Sequence, residues 1–352
     1  MTDSPPTLRP PRRKGRRWPW FALMGLMALG FAWSGLWYYG AGEVSRAMDV
    51  WLEDQRQQGN DWTCPARTLG GFPFEMILAC DQPAWHGDTD SGPADGKIKA
   101  FRAQASVVRP DQVLAQVDGP LDITFAQGDR HVRLEWADLS LVVSGLLQRE
   151  PVADALLAKP VATLSDGAAL LRNASAASVT LHLNRNGVHP PADRALDAVL
   201  AVRQLASSTL NDAAQSDIPA DIGLAATLTQ VHAGQDLTLA EWLEIWRAAG
   251  GSMEVSAASL AKGPLKLEGQ GRVSLDAAHR VQGQVAVSAA GLEPVLARFG
   301  IPASALNVGG LLSGLLGGKP KSGDGLRLAL KLEGGKVLLG PLKLPVTLVP
   351  LY

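Results

Sequence analysis

The sequence predicts a mainly β protein with a few helices: an α+β chain in which one N-terminal transmembrane helix precedes a large antiparallel-sheet exported domain. Three observations lead there. No charged residue occurs from Trp18 to Gly42. Many later stretches alternate apolar and polar side chains with a period of two, the signature of a strand with one dry and one wet face. Turn pairs such as Gly-Asp, Asn-Gly and Gly-Gly separate these stretches, which is the grammar of antiparallel sheets rather than of βαβ units.

The anchor comes first. "WFALMGLMALGFAWSGLWYY" is long enough to cross a hydrocarbon layer of roughly 30 Å at about 1.5 Å per residue. Trp18 and Trp20 mark one end and Trp37, Tyr38 and Tyr39 the other, as interfacial aromatics do. Residues 1–17 carry Arg9, Arg12, Arg13, Lys14, Arg16 and Arg17 against Asp3, a charge of +5 that leaves −6 for the remainder of a chain whose net charge is −1. A positive flank stays cytoplasmic, so the body is expected outside it. A cleaved signal peptide is the rival reading, but its apolar region would be shorter. The acidic body argues against nucleic-acid binding. The expected organisation is a basic cytoplasmic tail (1–17), an anchor (18–42), a helical stalk (43–60) and a β-rich exported domain (61–352). The expected location is a membrane, crossed once.

Within the stalk, Val44, Met48, Trp51 and Leu52 share one helical face, and Gly59 and Asn60 end it. About ten strands are then expected, among them "RHVRLEW", "SVTLHLN", "DIGLAATL", "GRVSLD", "VQGQVAVS" and "GLRLALKLE". Three helices are expected: "PPADRALDAVLAVRQL", "LTLAEWLEIWRAAGG" and "GLEPVLARFG", with "ASALNVGGLLSGLLGG" a softer candidate. The second has a capping box, Thr238 with Glu241, and Trp242 and Trp246 on one face, read as core.

The only two cysteines are Cys64 and Cys80. Outside the cytoplasm neighbouring thiols oxidise, and this pair would close a loop of about 15 residues worth roughly 3 kcal/mol. Neither a CxxC pair nor a four-ligand zinc set is present. Between the cysteines, "GGFPF" is expected to bend at Gly70 and Gly71, with Phe72 and Phe74 plugging the dry side of the sheet. "GGKPKSGDG" fails as a phosphate loop because Pro320 precedes Lys321. Asp88, Asp90 and Asp95 lack Ca²⁺-loop spacing. No histidine pair lies at i,i+4, and no nucleophile elbow is present. The chain is therefore expected not to be an enzyme and to take no cofactor or metal.

The N-terminal span, the "GGFPF…C" segment at 70–80, "GPLKLEGQGRVSLD" at 263–276 and "LEGGKVLLGPLKLPVTLVPLY" at 332–352 resemble the DUF2125 family of uncharacterised bacterial proteins. The resemblance covers nearly the whole chain after the basic tail. It implies an inner-membrane protein of Gram-negative bacteria with a periplasmic body, and supplies no catalytic residues. A looser likeness to the AsmA-like group of β-rich envelope proteins, some linked to lipid traffic, is analogy of fold alone. Two functions follow. In the first, lipid or an envelope partner binds an apolar sheet face whose wall includes Leu326, Leu328, Leu330 and Leu332. In the second, the chain is a structural or assembly factor whose core is closed, as two sheets of a sandwich cover each other.

Overall fold

The computed structural model describes residues 18–352 apart from 90–91, 108, 127–128, 147–151, 168, 233–236, 292–325 and 340–341. The basic tail, the helix expected over 291–300, the softer candidate over 303–318 and the loop at 317–325 thus lie outside the described residues, the first position of that helix excepted.

Helix α1 (Trp18–Gln57) is one continuous helix of 40 residues. It continues without a break from the expected anchor into the expected stalk, because nothing between Gly40 and Glu43 interrupts the i→i−4 ladder. Gly59, at φ +86°, turns the chain out of the helix as expected.

All described strands join one antiparallel sheet, twenty strands among the described residues. Four short strands come first: β1 (Asp61–Thr63), β2 (Ala66–Gly70), β3 (Glu75–Asp81) and β4 (Ala84–Thr89). Two long ones follow, β5 (Gly92–Ser106) and β6 (Arg109–Phe125). Then come three pairs of half-length strands: β7 (Arg130–Glu135) with β8 (Asp138–Ser144), β9 (Val152–Ala158) with β10 (Val161–Asp166), and β11 (Ala169–Ser175) with β12 (Ser178–Arg185). The remainder starts with β13 (Leu196–Ser207), helix α2 (Ser208–Ala214), β14 (Ala220–Leu228), helix α3 (Leu239–Ala248) and β15 (Met253–Lys262). It ends with β16 (Leu265–Leu275), β17 (Val281–Ala290), β18 (Leu326–Glu333), β19 (Lys336–Leu339) and β20 (Leu342–Thr347).

The pairings divide this sheet into two wings along a crease. On one side β2, β3, β5, β6, β8, β9, β12 and β13 follow one another and continue through β14 to β20. On the other, β1, β4, the first half of β5, the last part of β6, β7, β10 and β11 form a second run that rejoins β13 at Ser207. The crease passes through Gln82–Pro83, Lys99, Gly119–Pro120, Trp136–Ala137, Lys159–Pro160, Ala176–Ala177 and Gln204. Prolines there have no N–H to give to a ladder. Gln82, Lys159 and Gln204 take φ values of 52°, 48° and 52°, a region that ends a strand. Register shifts fall at Ile98/Ala100 and Val202/Leu205. Trp136 lies against Gly119, where an added Cβ would stand 3.0 Å from the indole, and its Nε1 donates to the Val117 carbonyl at 2.7 Å.

One expected helix is a strand. "PPADRALDAVLAVRQL" gives only a 3-10 turn at Pro191–Asp193 followed by β13, with Arg194 left-handed at φ 44°. Leu196, Ala198, Leu200 and Val202 also fit a period of two. β12 and β14 pair with β13 along most of its length, and that pairing outweighs the helix propensity of its alanines. Helix α2 had no clear signal in the sequence.

Helix α3 forms with the expected capping box: the Thr238 hydroxyl accepts from the Glu241 N–H, and the Glu241 carboxylate accepts from the Thr238 N–H. Trp246 is buried and its Nε1 donates to the Thr229 carbonyl at 2.7 Å, with the Trp242 ring stacked on it. Residues 348–352 cross the same helix. The Tyr352 hydroxyl donates to Glu244 Oε2 at 2.8 Å, and its ring stacks on His279. Arg247 donates twice to the same carboxylate. These bonds from Arg247, then Tyr352, pull the Glu244 carboxyl down to about 2.

Two predictions follow from this end of the sheet. Trp246→Ala removes one of the few large buried side chains and should cost about 3–5 kcal/mol, whereas Thr238→Ala should cost about 1 kcal/mol, both read by denaturant titration. The depressed Glu244 carboxyl contributes stability that is complete above its ordinary value of 4.5 and fades as pH falls toward about 2. With ¹⁹F-labelled tyrosine, of which the chain has three, the Tyr352 signal should show an acid step between pH 4.5 and about 2. In Glu244→Gln that acid step should vanish; an identical step would refute the latch.

Candidate functional site

Sheet register decides which side chains share a face, because directly paired residues point the same way. One row starts at Met76 and runs through Ala105, Val113, Val143, Ala153 and Leu183. It continues through Ala198, Ala226, Val255, Gly271, Val285 and Leu330. Twelve strands thus contribute to one row with no polar side chain. One residue over, the opposite face reads Asn184, Asp197, Thr227, Glu254, Arg272, Gln284 and Lys331. There Thr227 donates to Asp197 at 2.6 Å and Arg272 pairs with Glu254. From β12 to β18 the sheet is two-faced.

The apolar face continues across the crease. In β5 the apolar positions are Ala94, Gly96 and Ile98, then Phe101, Ala103 and Ala105. The one-residue change of phase at Lys99 offsets the register shift, so the apolar set stays on its side.

Burial along this face is incomplete. Seven large apolar side chains are buried among the described residues: Trp37, Trp246, Val255, Leu265, Val273, Leu275 and Val337. Among the described residues the one large side chain excluded fully from solvent is Lys262. Leu141, in the middle of the apolar face, is 38% exposed. A sandwich core of this size would fully bury many Leu, Val and Ile side chains.

Helices stand at its margins. Lys262 pairs with Ala220 and Leu265 on the apolar side. Its ammonium reaches Asn211 Oδ1 of α2 at 2.6 Å and the Ile218 carbonyl at 2.7 Å. A buried ammonium needs such acceptors, and the bonds fix α2 over that end. Helix α1 covers the β1–β3 margin. Asp49 pairs with Arg67 at 2.6 Å, Trp51 packs on Trp62, and a Cβ at Gly40 would lie 3.3 Å from Met76 Cε. The segment expected as a stalk thus packs along this margin of the sheet.

The four leucines expected to wall a groove all lie on β18. By backbone pairing Leu326, Leu328, Leu330 and Leu332 oppose Ala289, Val287, Val285 and Gly283, and Leu330 ends the apolar row. Leu330 and Leu332 are half-buried. Two shallow depressions of about 710 Å³ each lie nearby over β15–β18. Small and polar side chains such as Ser256, Ser259, Gln270 and Ala329 line much of them, and neither Leu330 nor Leu332 does.

The "GGFPFEMILAC" hairpin departs from expectation. Cys64 and Cys80 stand at disulfide distance, with S–S 1.98 Å and Cα–Cα 5.7 Å, and tie β3 to the segment before β2. Phe72 and Phe74 do not plug the sheet: they are 48% and 62% exposed. Instead the loop leans on α1. Trp33 Nε1 donates to the Pro73 carbonyl and Trp37 Nε1 to the Glu75 carbonyl, both at 2.9 Å. Trp37, expected as a lipid-facing interfacial residue, is buried against Phe72. The indole N–H groups explain the difference, since each takes a carbonyl that the turn leaves unpaired.

Among the described residues no three His, Cys, Asp or Glu side chains gather as a metal site would require. Two histidines form exposed pairs with single carboxylates, His86 with Asp95 and His182 with Asp154, and His189 lies between Asp193 and Glu254. What the arrangement offers chemically is an extended apolar surface between a polar back and helical margins.

Residues 37–346 match the family described as "Uncharacterized protein conserved in bacteria (DUF2125)". No match was found among curated proteins or solved structures.

The cysteine pair gives a direct expectation. Mass mapping without reductant should recover the peptides of Cys64 and Cys80 joined, and the Cys64→Ser, Cys80→Ser double variant should lose about 2–4 kcal/mol by denaturant titration.

Proposed function

We propose that this chain, which belongs to the DUF2125 family, is an inner-membrane-anchored protein whose periplasmic body binds lipid acyl chains along the apolar face of its sheet. The supporting observation is the twelve-strand apolar row, most of whose side chains stay partly exposed, with a polar and charged row on the opposite face from β12 to β18. An acyl chain has no polar group to satisfy. It therefore suits a surface that removes apolar area from water at roughly 25 cal/mol per Å² and requires no directional contact. Helix α1, the one described helix long and apolar enough to cross a membrane, would hold that surface beside its source of lipid. The closed-core alternative has less support, because so few large apolar side chains are buried.

Lipid extracted from the purified full-length chain should contain stoichiometric acyl chains, and a fluorescent fatty acid should bind and be displaced by them. Leu141→Glu places a carboxylate mid-face, where the side chain is already 38% exposed. The variant should fold and lose at least tenfold in probe affinity. Normal probe binding by folded Leu141→Glu, or none by the unchanged chain, would overturn the proposal. For orientation, a periplasm-dependent phosphatase fused after Tyr352 should be active, and a cytoplasm-dependent reporter at the same place silent.

A further inference from the structure

The exposed aromatic turn beside α1 has a position that lipid binding alone does not require. From Trp18 to Trp37 the helix rises about 28 Å at ~1.5 Å per residue, close to the ~30 Å of a hydrocarbon layer. The turn carrying Phe72 and Phe74 therefore sits at the depth where the far leaflet meets its headgroups. Phe72 stacks on Tyr38 of the helix. Val107, in the neighbouring β5–β6 turn, is also exposed, and its N–H donates to the Phe74 carbonyl at 2.8 Å.

Backbone outside a helix is tolerated at that depth only when its polar groups are paired. Here they largely are. Pro73 has no N–H, and its carbonyl takes the Trp33 indole N–H. The Phe74 carbonyl takes the Val107 N–H, the Glu75 N–H donates to the Gly71 carbonyl, and the Glu75 carbonyl takes the Trp37 indole. A water-facing turn has no need of two tryptophans to satisfy its carbonyls. The apolar row of the sheet also begins here, at Met76, the residue nearest Gly40 of the helix.

We propose that Phe72, Phe74 and Val107 form a lip inserted into the outer-leaflet interface of the bilayer that α1 spans, so that the apolar face of the sheet opens directly onto lipid. The proposal rests on the membrane-anchor reading above. Aromatic side chains favour that interface, and the indole bonds hold the turn against the helix.

The test uses the full-length chain in phosphatidylcholine vesicles whose acyl chains carry bromine, a short-range quencher. A fluorescent amino acid is placed singly at Phe74, at Met27 within the span, and at Val188, which is 92% exposed. Quenching at position 74 of at least half that at position 27, with none at 188, is the expected result. Quenching at 27 but not at 74 overturns the lip and leaves the anchor standing. No quenching at either overturns both. Phe74→Asp with Phe72→Asp gives a second reading: the chain should remain in vesicles, yet its uptake of lipid from them should slow at least fivefold. Unchanged uptake by a correctly folded variant also overturns the proposal.

Discussion

Phase is the constraint on which the rest of this structure depends. Side chains alternate along a strand, so each of the strands in the long row has to meet its neighbours in one register for Met76 at one end and Leu330 at the other to lie on the same side. A slip of a single residue anywhere between them would exchange Ala198 for Asp197, or Val255 for Glu254, and bring charge to the apolar side. The bulges are part of that discipline. At Lys99 and near Gln204 the ladder shifts, and the apolar positions shift with it.

That discipline explains both what the sequence made legible and what it hid. Strands such as Ser178–Arg185 and Ala220–Leu228 were plain, because their alternation is local. The Thr238–Glu241 capping box and the Cys64–Cys80 pair were plain for the same reason: close spacing carries the whole signal. β13 was misread because Leu196, Val199 and Leu200 satisfy a helical stripe as well as Leu196, Ala198 and Leu200 satisfy a strand, and only β12 and β14 decide between them. The crease was not foreseen, although Pro83, Pro120 and Pro160 were visible inside apolar stretches. Its meaning depends on three distant strands coming side by side.

The candidate site shows a similar division. The strand carrying Leu326, Leu328, Leu330 and Leu332 was legible from period two. The bonds from Trp33 and Trp37 to the hairpin were not, because indole groups in a span ordinarily face lipid headgroups, and nothing local says that a turn some 40 residues later supplies the acceptor. Lys262 was equally silent. Its partner Asn211 belongs to a helix that the sequence did not announce, and a lysine at the end of an apolar strand reads as a solvated terminus.

The twelve-strand row also acts as a ruler. Neighbouring strands lie about 4.8 Å apart, so eleven intervals span roughly 53 Å measured along the sheet, well beyond the ~30 Å of a bilayer's hydrocarbon layer. One leaflet accommodates an acyl chain within about half that layer, the width of four adjacent strands. Several tails could therefore lie in file across the face, and each added hairpin would lengthen the file by two strand widths without altering the chemistry of any position already there. Under the proposed acyl-chain binding, capacity would be set by the number of strands, not by the shape of a pocket.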